Sequence, residues 1–208
     1  MDIEERYVKR VYSEIASHFS QTRFCIWNFV RNFLENKTPN MKGIEIGCGN
    51  GKNMLINSSL DIIGTDICAE LLEICVTKNL NVVQNDCCRM YFKDNIFDYA
   101  LAVAVFHHMA DTSRRNQALS EMIRILKVGG HGIFSVWSIE NQEKRRQFTP
   151  GDNFVKWERR CDRKIFERYY YVFTRDMLDD LLNVFSKKIF INRIFNERGN
   201  WIVDFTKI

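Results

Sequence analysis

Apolar residues recur at Val8, Val11, Tyr12, Ile15 and Phe19, and this spacing predicts a helix from Glu4 to Phe19 with one buried face. A second amphipathic stretch runs from Phe24 to Glu35, with Trp27, Val30, Phe33 and Leu34 on one side. Past Pro39 and Gly43 the pattern changes. Short apolar runs at Gly43 to Ile46, Asp61 to Thr65 and Asn81 to Gln84 read as strands, with a helix at Ala69 to Lys78 between the second and third. Phe97 to Val105 reads as a buried central strand, Thr112 to Leu126 as the next helix stopped by Gly129-Gly130, and His131 to Trp137 as a fifth strand. Thr174 caps a helix to Phe185, and Lys188 to Phe195 closes on Trp201 to Phe205 as a hairpin through Gly199-Asn200. Strands alternating with helices of this length predict an α/β fold with a parallel sheet and helices on both faces.

At 208 residues, with 46% apolar and 27% charged, the chain has the size and balance of one large globular domain over 1–208. Its longest apolar run, Tyr99 to Phe106, is too short to span a bilayer, and the acidic start Met1-Asp2-Ile3-Glu4-Glu5 is unlike a signal or transit peptide. A cytoplasmic location, with the nucleus as a second compartment, is the expectation. Seven cysteines without a Cys-x-x-Cys pair fit neither a disulfide framework nor a zinc cage, so reduced, mostly buried thiols are expected, Cys87-Cys88 at a strand end among them, and no metal site. The net charge is only +4, yet Lys144 to Arg168 holds nine Lys or Arg against four Asp or Glu, so basicity is concentrated there.

The stretch Gly43-Ile44-Glu45-Ile46-Gly47-Cys48-Gly49-Asn50-Gly51-Lys52 reads as a buried strand turning sharply, its backbone bared by three alternate glycines. A dinucleotide fingerprint needs glycine where Lys52 stands, and a phosphate loop needs Ser or Thr where Asn53 stands, so both readings fail. What remains, Glu-x-Gly-x-Gly-x-Gly, resembles the first motif of the Rossmann-like S-adenosylmethionine (SAM) methyltransferases. Asp66, 19 positions after Gly47, stands where a doubly wound sheet offers a carboxylate to a cofactor ribose, with a turn or helix-cap aspartate as the equally weighted alternative. Asp86 ends the third strand on the same rim, where a carboxylate can accept an adenine amino group while the amide of Cys87 donates to the ring.

The resemblance narrows along the chain. Tyr12-Ser13-Glu14-Ile15-Ala16-Ser17-His18-Phe19-Ser20-Gln21-Thr22-Arg23 with Trp27, Ala104-Val105-Phe106-His107-His108, Arg114-Arg115, Val136-Trp137-Ser138-Ile139-Glu140, Val155-Lys156-Trp157, Arg168-Tyr169-Tyr170 and Asn200-Trp201 resemble, in order, the eukaryotic transfer-RNA methyltransferases that esterify carboxymethyluridine at the wobble position. The resemblance implies a doubly wound class I fold with a mostly parallel seven-stranded sheet, an antiparallel last strand and extra N-terminal helices. It implies SAM as cofactor, held by Glu45, Gly47, Cys48, Gly49, Asn50, Gly51, Lys52, Asp66, Ile67, Asp86, Cys87, Val103 and Ala104. It also implies methyl transfer to the carboxylate of 5-carboxymethyluridine at position 34 of tRNA, and a small zinc-binding activator pairing with the edge strand Asn81 to Gln84.

A carboxylate ionises at a pH of about 4 and needs no strong base near neutrality, so cationic or donor side chains near the rim are the catalytic candidates: His18, Arg23, His107 and His108. Arg23 is the candidate for either the cofactor or the substrate carboxylate. One of the two adjacent histidines is expected to pack or to bond a backbone carbonyl. Arg114 and Arg115 begin a helix, against the dipole, as phosphate contacts or as a solvated pair partnered by Asp111. Over 138–173, basic residues including Lys144-Arg145-Arg146, Lys156, Arg159, Arg160 and Arg168 interleave with Trp157, Tyr169 and Tyr170, the mixture expected for a tRNA anticodon loop, with Trp137 nearby and 1–40 as a helical cover. Glu45 where aspartate is usual, Asn28 after the tryptophan and Tyr171 after the tyrosine pair depart from the family pattern. The other readings are a SAM methyltransferase acting on another RNA or a small acid, and a catalytically silent RNA-binding scaffold.

Overall fold

A computed structural model describes residues 2–141 and 148–208. A five-residue π-helical turn, Glu5–Lys9, leads into α1 (Arg10–Thr22), followed by α2 (Asn28–Glu35), β1 (Lys42–Ile46), β2 (Asp61–Asp66), α3 (Ala69–Val76), β3 (Val82–Gln84), β4 (Phe97–Val103), α4 (Thr112–Ile125) and β5 (Leu126–Trp137). Then come β6 (Gly151–Glu158), β7 (Ile165–Val172), α5 (Arg175–Asn183), β8 (Ile189–Glu197) and β9 (Asn200–Lys207).

Seven strands form one sheet in the order β3-β2-β1-β4-β5-β9-β8, in which β9 alone runs against the rest. Side chains alternate across it with a period of two. Ala100 and Ala102 of β4 enter the core under α4 and α5, while Tyr99 and Leu101 enter the opposite core under α2 and α3. The sheet is therefore buried on both sides, which is why its strands read as unbroken apolar runs. Strand order reverses between β1 and β4, and a crevice opens at their carboxyl ends. The apolar face of α1, from Val11 through Ile15 and Ala16, closes over that end, where Ala16 packs on Cys68 and Leu71.

The structure departs from the sequence expectation at several places. The helix α4 stops at Ile125, and Gly129-Gly130 lie inside β5 instead of ending the helix. The last hairpin turns at Arg198-Gly199, both with positive φ (49° and 74°), so that Glu197 pairs with Asn200 in the two-residue geometry that matches strand twist. Within the 138–173 segment, β6 and β7 form a second, two-stranded sheet packed beside the crevice. Lys144, Arg145 and Arg146 lie outside the described residues.

Candidate functional site

A cavity of about 500 Å³ occupies the crevice. Its floor is the β1 turn. Gly47 and Gly49 both have positive φ (65° and 56°), and a Cβ at Gly49 would meet nothing, so bare backbone faces open space. Gly51 has another purpose: a Cβ there would stand 2.3 Å from Leu80 Cδ1, and the residue does not line the cavity. This corrects its assignment as a cofactor contact. Asn50 lines the cavity, but its amide nitrogen donates to the Ser20 and Arg23 carbonyls, tying the end of α1 to the glycine turn. Lys52 donates to the Cys25 carbonyl at 2.7 Å, a second tie between cover and turn.

Three acids stand on the rim. Asp66 is held by the amides of Gly49 (2.9 Å) and Cys68 (3.0 Å); burial raises its pKa while these bonds oppose the shift. A carboxylate offers about four lone-pair sites, so two remain for a ligand. Glu45 accepts from Asn53 at 2.6 Å, its Oε2 has no partner, and burial pushes its carboxyl up to about 8. Asp86 is bound by Arg114 at 3.2 Å, and Arg114 also holds Glu4 at 2.8 Å. Ile67, Cys87, Val103 and Ala104 complete this half, and Cys48 lines it while spending its amide on the Thr65 carbonyl. A bared backbone turn, two rim carboxylates with spare acceptor capacity and apolar walls form a cradle suited to SAM.

The other half is built by α1, by the short turn holding His107 and His108, and by β7. Arg168 is 5% exposed, yet among the described residues no carboxylate pairs with it. Its Nη1 donates to Tyr170 Oη at 2.6 Å, its Nε has no acceptor, and its plane lies against Trp157 and Tyr170. His107 is fully buried. Its Nδ1 accepts from the Trp137 amide at 3.0 Å, which assigns the proton to Nε2, an atom left without a partner. Burial, with His108 and Arg168 alongside, holds its pKa well below the ordinary value. His108 donates from Nδ1 to the Tyr169 carbonyl at 2.9 Å and accepts from Tyr12 at Nε2; burial lowers it to about 4. Both rings are neutral near pH 7, and His108 is the one committed to structure. Tyr12, which links His108 to Tyr170 at 3.2 Å, reads in the sequence as part of an apolar helix face and of the family string but is given no site role there, because a single tyrosine in that setting carries no signal of its own.

Other expectations need correcting. His18 does not line the cavity; its Nδ1 accepts from Trp157 Nε1 at 3.2 Å. Arg23 does line it, with its guanidinium over Phe19 and Trp157. Arg114 is committed to Glu4 and Asp86, and Arg115 is buried over the Tyr171 ring, donating to the Met109 carbonyl, so neither is a free phosphate contact. Asp111 instead caps α4 by accepting the Arg114 amide. Tyr169 is core, bonded to Asp152, whereas Tyr170 lines the cavity stacked on Trp137 at 3.8 Å. Arg168 points inward, not at solvent, and Arg159 is paired with Asp162. Lys156 and Arg160 are exposed and remain available, whereas Trp157 is half-buried, bonded to His18 and packed against Arg23 and Arg168.

Residues 44–134 match the family model described as a methyltransferase domain. The Schizosaccharomyces pombe tRNA (carboxymethyluridine(34)-5-O)-methyltransferase is 33% identical, aligning 98% of this chain with 97% of that protein. The Saccharomyces cerevisiae protein of the same name is 36% identical over 74% of this chain, which spans 57% of it. Among solved structures, the DhpI-SAM-HEP complex superposes with a TM-score of 0.71 at 15% identity, covering 94% of both chains. A Haloferax volcanii methyltransferase in complex with the Trm112 methyltransferase activator superposes at 0.67 with 12% identity, covering 97% of this chain and 98% of that one. At these identities the solved structures establish the fold.

Proposed function

Because this chain belongs to the tRNA (carboxymethyluridine(34)-5-O)-methyltransferase family, matching 97% of a relative at 33% identity, we propose that it methylates the carboxylate of 5-carboxymethyluridine at the wobble position of tRNA. The observation that carries this reading is Arg168: a buried guanidinium without a carboxylate partner, lining the cavity beside the unpartnered Nε2 of His107. An uncompensated buried charge is costly, by several kcal/mol, unless an anion completes it. A substrate carboxylate does that, and its geometry matches a guanidinium fork.

SAM, when bound, supplies a methyl group on a sulfonium, and a carboxylate oxygen takes that methyl without losing a proton. The residues therefore position and dehydrate. Asp66 and Asp86 are the proposed ribose and adenine acceptors, Gly49 leaves room beside the backbone while Gly47 makes way for Val105, and Arg168 and His107 hold the substrate carboxylate. Neutral imidazoles suit this role, since no step asks them to take up a proton. Keeping the carboxylate dry matters because opposite charges are neutralised as the methyl moves, a change that water would oppose.

The proposal includes a partner, a small zinc-binding activator of the Trm112 type, docking by strand addition along β3. In support, β3 is an edge of the large sheet, Val83 on it and Val76 on the neighbouring α3 are exposed, and a structural neighbour is solved with such an activator. Lys156 and Arg160 are proposed to meet the anticodon loop, with Trp157 supporting the strand behind them. Binding of two synthetic anticodon stem-loops tests the carboxylate subsite. A loop carrying 5-carboxymethyluridine should bind at least about tenfold more tightly than one carrying the neutral carbamoylmethyl group. Equal affinities would contradict it.

A further inference from the structure

Three sulfur atoms converge beside Asp86 for no purpose that methyl transfer supplies. Cys87 Sγ lies 3.9 Å and Cys88 Sγ 3.5 Å from Met109 Sδ, and the two thiols lie within 4.8 Å of one another. We propose that Cys87, Cys88 and Met109 form a binding site for a soft monovalent metal ion, Cu(I), at the edge of the cavity.

The geometry suits such an ion. Three sulfurs each about 2.3 Å from a shared trigonal centre stand about 4 Å apart, close to the separations already present. Two thiols with a thioether are the donor set that selects Cu(I) over harder ions. Asp86 belongs to the surroundings instead, because Oδ1 accepts the Cys88 amide at 2.9 Å and Oδ2 pairs with Arg114 at 3.2 Å. Those bonds fix the turn that presents both thiols. Arg114, although shared between Glu4 and Asp86, places a cation close to the thiols. Access is present as well: Cys87 and Met109 line the cavity, while Cys88, at 2% exposure, closes the back.

Binding breaks two S–H bonds and forms two S–Cu bonds. Both protons pass to water, the copper stays Cu(I), and the thioether adds through its lone pair.

The test is an anaerobic titration of the full chain with Cu(I) against a colorimetric Cu(I) chelator. It uses a background in which the exposed Cys25 and Cys161 are replaced by serine. The background protein should withhold one equivalent. Cys87→Ser should weaken retention by at least about 100-fold, and Met109→Leu, a volume-conserving change that keeps the fold, by about tenfold. Failure of the background protein to withhold an ion would overturn the proposal. So would unchanged affinity in both variants, which would move the ion to other thiols such as Cys48 and Cys75.

Discussion

Arg168 Nη1 lies 2.6 Å from Tyr170 Oη, and this bond gives direction to everything behind it. Arg168 can only donate, so the Tyr170 hydroxyl is free to donate to Tyr12, Tyr12 to His108 Nε2, and His108 Nδ1 to the Tyr169 carbonyl. The chain of donors ends on backbone and leaves the rest of the guanidinium for a ligand. Arg168→Gln should lower kcat/KM for carboxymethyl-bearing tRNA by about 10²- to 10³-fold, the loss expected when one partner of a buried charge pair is removed. The dissociation constant for SAM, by titration calorimetry, should stay within about twofold. An equal loss of SAM affinity would reassign Arg168 to the cofactor's carboxylate.

Glu45 gives the protein a pH dependence of known sign. Its folded pKa, about 8, lies above the ordinary 4.5, so between these values the folded state holds the proton more firmly than the unfolded chain. The resulting stability is complete below about 4.5 and lost as pH rises through about 8. Glu45→Gln, which keeps the bond with Asn53 and cannot ionise, should abolish that alkaline loss, on the order of 1 to 3 kcal/mol in denaturant melts at pH 8.5 relative to pH 5. A wild type and variant with parallel pH profiles would show that Glu45 is ionised in the fold.

Two glycines in one turn should fail differently. Gly51→Ala drives a Cβ to 2.3 Å from Leu80 at a φ of +72°, and should cost about 2 to 4 kcal/mol of stability. Gly49→Ala meets no atom, so only its φ of +56° counts against folding, at about 1 kcal/mol. Its methyl group nevertheless projects where backbone would approach a cofactor, so SAM affinity should fall more than stability does. Thermal melts alongside SAM titrations separate the two.

The β3 edge offers a cleaner test of partnership. Asn81 O and Asn85 N bond to β2, so by alternation the amide of Val82 points away from the sheet. Val82→Pro removes that outward donor without breaking an internal bond, and proline is tolerated on such an edge. The variant should keep its melting temperature yet bind a Trm112-type activator at least about tenfold more weakly in a pull-down or by calorimetry. Undiminished binding would move the interface elsewhere.

Much of the sheet was legible because its strands are short, apolar and separated by helical periods, and because the glycine turn and rim acids fall at fixed spacings. The β6–β7 hairpin was not. Its inward positions hold Val155, Trp157 and Arg168, and a buried cation breaks the apolar alternation that marks a strand. The same feature hid the function of Arg168, since basic residues among aromatics suggest a surface for RNA until the fold turns one of them inward. Arg114 and Arg115 misled for the opposite reason: their partners Glu4, Asp86 and the Tyr171 ring come from distant stretches that no local pattern links to them.

The central claim is transfer to a carboxylate at one nucleotide, and nucleoside mass spectrometry measures it directly. Transfer RNA from cells lacking the modification, incubated with this chain, an activator and SAM carrying a deuterated methyl group, should yield the labelled methyl ester of 5-carboxymethyluridine at position 34. Label recovered on another nucleoside, or on a ring or ribose atom in place of the ester, would contradict it.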